Sequence, residues 1–375
     1  MSNNFQQSRR DFIKTLGFAG ALLATHSFFN KANAGIFKKN KLITQYRTLG
    51  ADSAAMKVTA LGFGCMGMNY NRGMAKDEKE MIKLLHKAVD FGVNLFDTAE
   101  VYGPHINEEL VGKGLHKYKD VQVTTKFGHK IIDGKYYYGE LDSSPKQIRT
   151  VCEQSLKRLK RDCIDMFYQH RFDPNTPIEE VASTVKDLIK EGKVKHFGLC
   201  EVNSEIIKKA HAVCPITAIQ SEYHLMWQSP EQNIFPTLEQ LNIGFVPYSP
   251  LNRGYLTGSL TENTKFYEAN DNRHTLPRFS PEAMKKNYVI IDIMKEFGVS
   301  KQATPAQVAL AWLLHKKPYI VPIPGTTVED HLKENLAAVN LKWSDAEWTD
   351  FENKISKIEI YGDRYNAVQQ KQVSN

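Results

Sequence analysis

Four side chains able to hold or move a proton stand in or just past short apolar runs of this 375-residue chain. They are Asp97 after Asn94-Leu95-Phe96, Tyr102 shortly beyond it, Lys126 after Val123-Thr124-Thr125, and His170 after Phe167-Tyr168-Gln169. Together they suit the reduction of a carbonyl, which needs a hydride donor on carbon and a proton donor to the developing alkoxide in a dry, pre-oriented pocket. Tyr102 is the candidate proton donor. An unperturbed tyrosine titrates near ~10, too high for easy transfer, and a neighbouring ammonium lowers such a value by roughly 1 to 3 pH units. Lys126 is the matching cation, and Asp97 is the counter-ion that would keep it charged and aimed. His170 can donate a hydrogen bond to the carbonyl oxygen and so fix its orientation. Taken singly, each has an ordinary reading: a cap, a packed ring, a surface lysine, a satisfied strand-end histidine. Four of them at matched strand ends are a different matter.

The elements that must position them alternate. Eight β-rich runs recur at 61–65, 93–96, 121–125, 164–168, 194–199, 216–219, 243–247 and 319–321. Between them lie patterns with apolar residues at spacings of three and four, at 78–90, 146–159, 179–190, 205–212 and 306–315, which predict helices. Ser144-Pro145, Thr176-Pro177, Ser229-Pro230 and Thr304-Pro305, each followed by Gln or Glu two residues after the proline, read as capped helix starts. This alternation admits a closed (β/α)8 TIM barrel or an open doubly wound sheet. The polar residues favour the α/β barrel, because they gather at the C-terminal ends of strands spread along the chain. Gly62-x-Gly64-x-x-Gly67 is a literal dinucleotide fingerprint, yet Met68-Asn69-Tyr70-Asn71-Arg72-Gly73 does not continue as the helix whose N-terminus must hold a pyrophosphate. It reads instead as a close-packed turn at the end of the first barrel strand.

A hydrophobic fraction of 42%, a charged fraction of 24%, 23 Gly and 15 Pro describe a globular chain able to bury a large core. The formal charge of +7, part of it in the first 34 residues, is too mild to argue for nucleic acid. Five cysteines show neither CxxC nor zinc-ligand spacing, and read as small core hydrophobes. At the N-terminus, Ser8-Arg9-Arg10-Asp11-Phe12-Ile13-Lys14 precedes an uncharged, moderately apolar run at 15–29 and then Lys31-Ala32-Asn33-Ala34. This resembles a bacterial twin-arginine signal peptide at 1–34, cleaved after Ala34. The run falls short of the roughly 20 apolar residues that span a bilayer. The expectation is a folded domain at 35–375, exported to the periplasm by the twin-arginine machinery, with no stable membrane span.

Phe96-Asp97-Thr98-Ala99-Glu100-Val101-Tyr102-Gly103, Thr125-Lys126-Phe127-Gly128 and Tyr168-Gln169-His170-Arg171 resemble signature segments of the aldo-keto reductase family. So, in order, do Gly192-Lys193-Val194-Lys195-His196-Phe197-Gly198, Gln220-Ser221-Glu222-Tyr223, Val246-Pro247-Tyr248-Ser249-Pro250-Leu251 and Ile323-Pro324-Gly325-Thr326-Thr327. The resemblance implies a (β/α)8 fold and a nicotinamide cofactor bound in extended form without a Rossmann domain. It also implies particular contacts: Tyr248 stacking on the nicotinamide, and Gln220 bonding its carboxamide. Cys200 and Glu201 stand where the family usually has Ser followed by Asn or Glu, so Cys200 departs from the pattern. Ser249, Leu251 and Arg253 fall on the pyrophosphate path. Gly325, Thr326, Thr327, His331, Glu334 and Asn335 fall around the adenosine. The stretch 252–285 is a long insertion expected to fold over the cofactor as a belt.

The implied function is NADP(H)-dependent reduction of an aldehyde or ketone to an alcohol. The family commonly anchors a 2′-phosphate with a basic residue three positions after the Gly of Pro-Gly-Thr, where this chain has Val328; His331 and the helix start remain. The expectation is a narrowed preference for NADP(H), with measurable use of NAD(H). Two other readings stay open: a weakly catalytic regulatory or binding protein on the same fold, and an alcohol or sugar dehydrogenase working in the oxidative direction. Tyr70, Tyr136, Tyr137, Tyr138, Phe172 and Trp227 could line a substrate cleft or be ordinary packing.

Overall fold

The computed structural model describes residues 41–371 and 373; the expected signal at 1–34 and its cleavage point lie outside the described residues. A two-stranded antiparallel hairpin comes first, β1 (Tyr46–Leu49) with β2 (Met56–Thr59). Then follow β3 (Phe63–Gly64), β4 (Leu95–Asp97), β5 (Gln122–Phe127), a second hairpin of β6 (His129–Ile132) and β7 (Lys135–Leu141), β8 (Ile164–Gln169), β9 (Val194–Cys200), β10 (Ile216–Glu222) and β11 (Gly244–Tyr248). Seven of these form one parallel sheet in the order β3-β4-β5-β8-β9-β10-β11. Parallel neighbours need long crossovers, which here are the helices Glu78–Asp90, Ile106–Leu115, Pro145–Leu159, Ile178–Lys190, Ser204–Val213 and Phe235–Leu241.

The eighth staves of the barrel are the residues around Ile320. Val321 and Ile323 donate their N–H groups to Phe245 O and Pro247 O on one side, at 2.8 and 3.2 Å. On the other side Gly62 and Gly64 donate to Pro322 O and Pro324 O, at 2.9 and 3.2 Å. Successive residues of a strand face opposite neighbours, and both residues facing β3 are prolines, which accept but cannot donate. The ladder on that edge is therefore half a ladder, and the segment registers only as a bridge between Phe245 and Ile320. The α/β TIM barrel closes all the same. Closure also explains the glycine run, because a Cβ on Gly64 would lie 2.8 Å from Ile323 O.

The core has two layers. An outer one packs helices on strands, and an inner one fills the lumen with Leu95, Met166, Tyr168, Cys200, Val246, Val321 and Ile323 together with Leu49, Met56 and Val58 of the first hairpin. That hairpin plugs the N-terminal end: Gly244 lies against Leu49, and Thr217 Oγ1 donates to Ala54 O at 2.8 Å. Chemistry is thereby left to the other end. The predicted caps divide. Thr304 makes a complete capping box and Ser144 accepts from Gln147 N. Thr176 instead turns its hydroxyl to Asp173, so its helix starts uncapped, and Ser229 makes no side-chain cap. Four of the five free cysteines are buried. No helix among the described residues is long and apolar enough to cross a membrane.

Candidate active site

Asp97 ends β4, Lys126 is next to last on β5, and His170 is the first residue beyond β8. The turn after β4 carries Tyr102 and is pinned by Asn107, which accepts from Thr98 Oγ1 at 2.6 Å and donates to Cys65 O at 2.9 Å. Lys126 is fully buried; its Nζ donates to Asp97 Oδ1 at 2.5 Å and to Thr98 O at 2.7 Å. Asp97 Oδ2 accepts from Thr124 Oγ1 at 2.7 Å and from Gln220 Nε2 at 2.9 Å. The ammonium lies 5.2 Å from the centre of the Tyr102 ring. The Tyr102 and His170 rings meet edge-on with centroids 5.8 Å apart. The structure thus brings all four residues to one point.

Burial pushes the Tyr102 hydroxyl up to about 12, Lys126 pulling it down and Asp97 pushing it further up. Desolvation therefore outweighs the lowering that the sequence led us to expect from Lys126. For Lys126 itself burial acts downward, but Asp97 and Tyr102 hold its affinity for the proton above the ordinary lysine value. His170 falls well below the usual range through burial, helped by His129, Arg171 and Lys126, and so is neutral. Its Nδ1 is buried without a hydrogen-bond partner. His129 stands edge-on to it at 4.8 Å and is held down to about 3 by burial.

Two cavities share Tyr102, Gln220 and Tyr248. One, about 490 Å³, is walled by Tyr70, Tyr136, Tyr138, His129, His170 and Arg171, with Asn270, Asn366 and Gln369 adding carboxamides. Of the six aromatic residues singled out in the sequence, only Tyr70, Tyr136 and Tyr138 reach it. The other, about 480 Å³, is a groove lined by Gln220, Tyr248, Ser249, Leu251, Arg253, Gly325, Thr326, Thr327, His331, Glu334 and Asn335. Cys200 and Glu201 lie off it. Cys200 faces the lumen, its thiol pushed up to about 12 by burial, and Glu201 is wholly buried against Arg364, at 3.2 and 2.9 Å, and Glu222 N, at 2.8 Å. Gln220 reaches the groove with its amide nitrogen already committed to Asp97.

The insertion is a strap of short 3-10 turns that ends in the helix Pro281–Asn287. It crosses the barrel mouth to the loop after β3: Gly73 N donates to Asn270 O at 2.8 Å, Asn71 N to Asn270 Oδ1 at 2.9 Å and Arg72 Nη1 to Asn272 Oδ1 at 2.9 Å. At its root Ser249, Asn252 and Arg253 adopt left-handed φ of 49, 44 and 52°, a strain that side chains other than glycine rarely carry away from functional loops. Sequence reasoning missed Arg72 and Arg273, which join Arg253 in the groove. Burial, then Arg253 and Arg273, push the Arg72 guanidinium down to about 9. Arg253 and Arg273 are paired with Glu222 and Asp271, and together with Arg72 they give the groove a wall of guanidiniums that suits a ligand carrying a pyrophosphate.

The Aldo/keto reductase family model matches residues 60–356. The chain belongs to that family. It is 39% identical over 324 residues to "Probable aldo-keto reductase 1" of Glycine max, covering 86% of this chain and 92% of that protein. Among solved structures it resembles the glycerol dehydrogenase AKR11B4 from Gluconobacter oxydans at 25% identity and a TM-score of 0.75, over 86% of this chain and 98% of that one. The fold is shared with the aldo-keto reductase AKR11C1 from Bacillus halodurans in its holo form, at 24% identity and a TM-score of 0.67, over 84% and 98%. Aldo-keto reductases are oxidoreductases that use NAD(P)H, and this chain carries the family's barrel with polar residues at the mouth.

Proposed function

We propose that this aldo-keto reductase reduces an aldehyde or ketone to an alcohol with NADP(H), using Tyr102 as general acid. The observation that carries the reading is the fully buried Lys126, fixed by Asp97 and facing the Tyr102 ring where the two cavities meet. A reduced nicotinamide bound in the groove would supply the hydride. Tyr102 gives its proton to the alkoxide oxygen, and Lys126 stabilises the tyrosinate left behind. Asp97 holds the ammonium in place. His170, neutral, orients the carbonyl oxygen by a hydrogen bond. Tyr248, Gln220, Ser249, Arg253 and the residues of 325–335 in the groove hold the cofactor, while the strap keeps water out. A panel of aldehydes, ketones and alcohols assayed with both nicotinamide cofactors tests this: no turnover of any member in either direction would leave the regulatory reading standing.

Oxidation of a polyol is the second reading, favoured by the likeness to a glycerol dehydrogenase and by the carboxamides in the cavity beside His170. The panel separates the two by which direction runs faster at the same pH.

For the cofactor, His331 lines the groove while Lys333 is turned to Glu329 and Asp330, at 2.9 and 3.2 Å. Val328 is neutral, and those two acids occupy the first turn of the helix Glu329–Ala337, where they weaken its pull on an anion. NADPH is expected to bind more tightly than NADH by a narrow margin. Titration of both by fluorescence quenching checks it: tighter NADH overturns the preference, and a gap beyond roughly 10³-fold, about 4 kcal/mol, requires a further anchor.

The export reading is also a proposal, resting on Arg9-Arg10 before the uncharged run at 15–29. Changing both arginines to lysine is expected to leave full-length precursor in the cytoplasm. Unchanged periplasmic protein, or a mature N-terminus that retains Ser8, would remove its basis.

A further inference from the structure

The segment after the helix Asp345–Ile355 lies partly beyond the stretch matched by the family model, and its end reaches the active site. It is tied down twice on the way. Asn287 and Tyr361 exchange hydrogen bonds, side-chain Nδ2 to O and N to Oδ1, both at 2.9 Å, and Arg278 Nε donates to Gly362 O at 3.3 Å. Gly362 has φ +83°, and a Cβ there would come within 2.7 Å of Arg278 Cα, so the chain turns tightly against the strap. Beyond the exposed Asp363, Arg364 and Tyr365 are buried. Arg364 makes a two-pronged pair with Glu201 at the end of β9, and its guanidinium stacks 4.6 Å from the rings of both Trp227 and Tyr365. Arg253 covers Tyr365 at 5.5 Å. The Tyr365 hydroxyl, so held, is hydrogen-bonded to the hydroxyl of Tyr248.

We propose that Arg364 and Tyr365 form a C-terminal latch that positions Tyr248, setting the plane on which the nicotinamide stacks. This rests on the reading of Tyr248 given above. A ring at the end of a strand can rotate and tilt; a hydroxyl-to-hydroxyl bond to a second ring that itself packs against two guanidiniums restricts that freedom before any cofactor arrives. Glu201 is the fixed point of the device, which accounts for a buried carboxylate beside the groove that does not line it. Tyr365 is a positioning residue, since it acts through Tyr248.

The test compares two nucleotides that differ only in the nicotinamide. By calorimetric titration of the full chain, Tyr365→Phe is expected to raise the Kd for NADPH roughly three- to tenfold, the scale of one hydrogen bond. The Kd for 2′-phospho-ADP-ribose, which lacks the ring, should stay within about twofold. Tyr248→Phe should do the same, and the double variant should lose no more than either single one, because both remove one interaction. Equal weakening of both nucleotides, no weakening of either, or additive losses would overturn the latch. Tyr248→Ala with unchanged NADPH affinity would remove the stacking reading and the latch with it. Tyr248→Ala that weakens NADPH beside a silent Tyr365→Phe would remove the latch alone.

Discussion

Tyr102→Phe is expected to lower kcat for carbonyl reduction by on the order of 10²-fold or more while leaving the Kd for NADPH nearly unchanged. The ring stays in its packing against His170 and under Lys126, and only the transferable proton is lost. Lys126→Met is expected to cost a similar factor, with Asp97 still partly satisfied by Thr124 and Gln220. Combining the two should cost far less than the product of the single losses, because the residues act as one acid. The pH profile carries a second readout. Burial raises Tyr102 to about 12, so the acid form persists through neutral pH and reduction at saturating cofactor should decline only as pH rises toward that value. Since Lys126 pulls Tyr102 down, its removal should move the alkaline limb of any residual reduction higher still. Steady-state kinetics on a reactive aldehyde from about pH 6 to 12 check it: a parent rate that already falls near neutral pH would contradict the raised value. A variant lacking the hydroxyl that kept most of the rate would exclude Tyr102 as the acid.

Glu222→Ala should be the most damaging change to stability among the residues described. Glu222 is wholly buried, accepts two bonds from Arg253 at 2.8 and 2.9 Å and pairs with His224 at 3.0 Å, with Arg364 Nε at 3.9 Å. Removing it leaves the buried Arg253 guanidinium without its carboxylate and takes the nearest buried anion from Arg278, while Arg364 keeps its pair with Glu201. Breaking a buried pair by deleting one partner costs about 3 to 5 kcal/mol, to be read from denaturant unfolding. Loss below about 1 kcal/mol, the scale of a surface pair, would mean that the network does not depend on this carboxylate. The pH dependence follows in sign. Burial acts to raise the Glu222 carboxyl, but Arg253, His224 and Arg364 hold it well below the usual carboxylate range. A depressed folded value contributes stability above the unfolded one, near ~4.3. That contribution is lost as pH falls below it, so the variant should show a flatter acid limb than the parent.

Much of this architecture is legible in the chain because two periodicities and one spacing rule agree. The helix Glu78–Asp90 begins and ends where its apolar spacing does, since Asp77 caps it and Gly92 cannot continue it. Barrel strands buried on both faces, such as β8 and β10, read as apolar runs, and their ends mark the mouth. Other parts are silent for physical reasons. The β6–β7 ribbon is half exposed, so Lys135–Leu141 lacks clean alternation. The first hairpin is short, with Leu49 alone buried in β1 and Met56, Val58 and Thr59 buried in β2, so neither strand shows a clean alternation. Arg72, Arg273 and Tyr365 come from loops tied to distant partners, Asn272, the Arg253 carbonyl and Tyr248, which neighbours in sequence do not reveal. Glu201 illustrates the limit most clearly. Its place in the motif points to the groove, and only Arg364, far along the chain, shows where the carboxylate turns.

The two prolines on the eighth stave bear on how the molecule survives its own synthesis. Until the last stave meets β3, the sheet is an open ribbon with two raw edges, β3 at one side and the residues around Ile320 at the other. An unpaired edge offers donors and acceptors to any other strand and is a template for aggregation. Here the outward-facing positions are Pro322 and Pro324, whose carbonyls wait for Gly62 and Gly64 but which offer no N–H to a stray chain. The glycines that complete the seam are suited to it alone, since a Cβ at Gly64 would collide with Ile323 O and one at Gly325 would lie 2.6 Å from Gly64 O. The seam therefore protects the nascent ribbon by being a poor partner for everything except its own first strand, and the missing half of its ladder is what that selectivity costs.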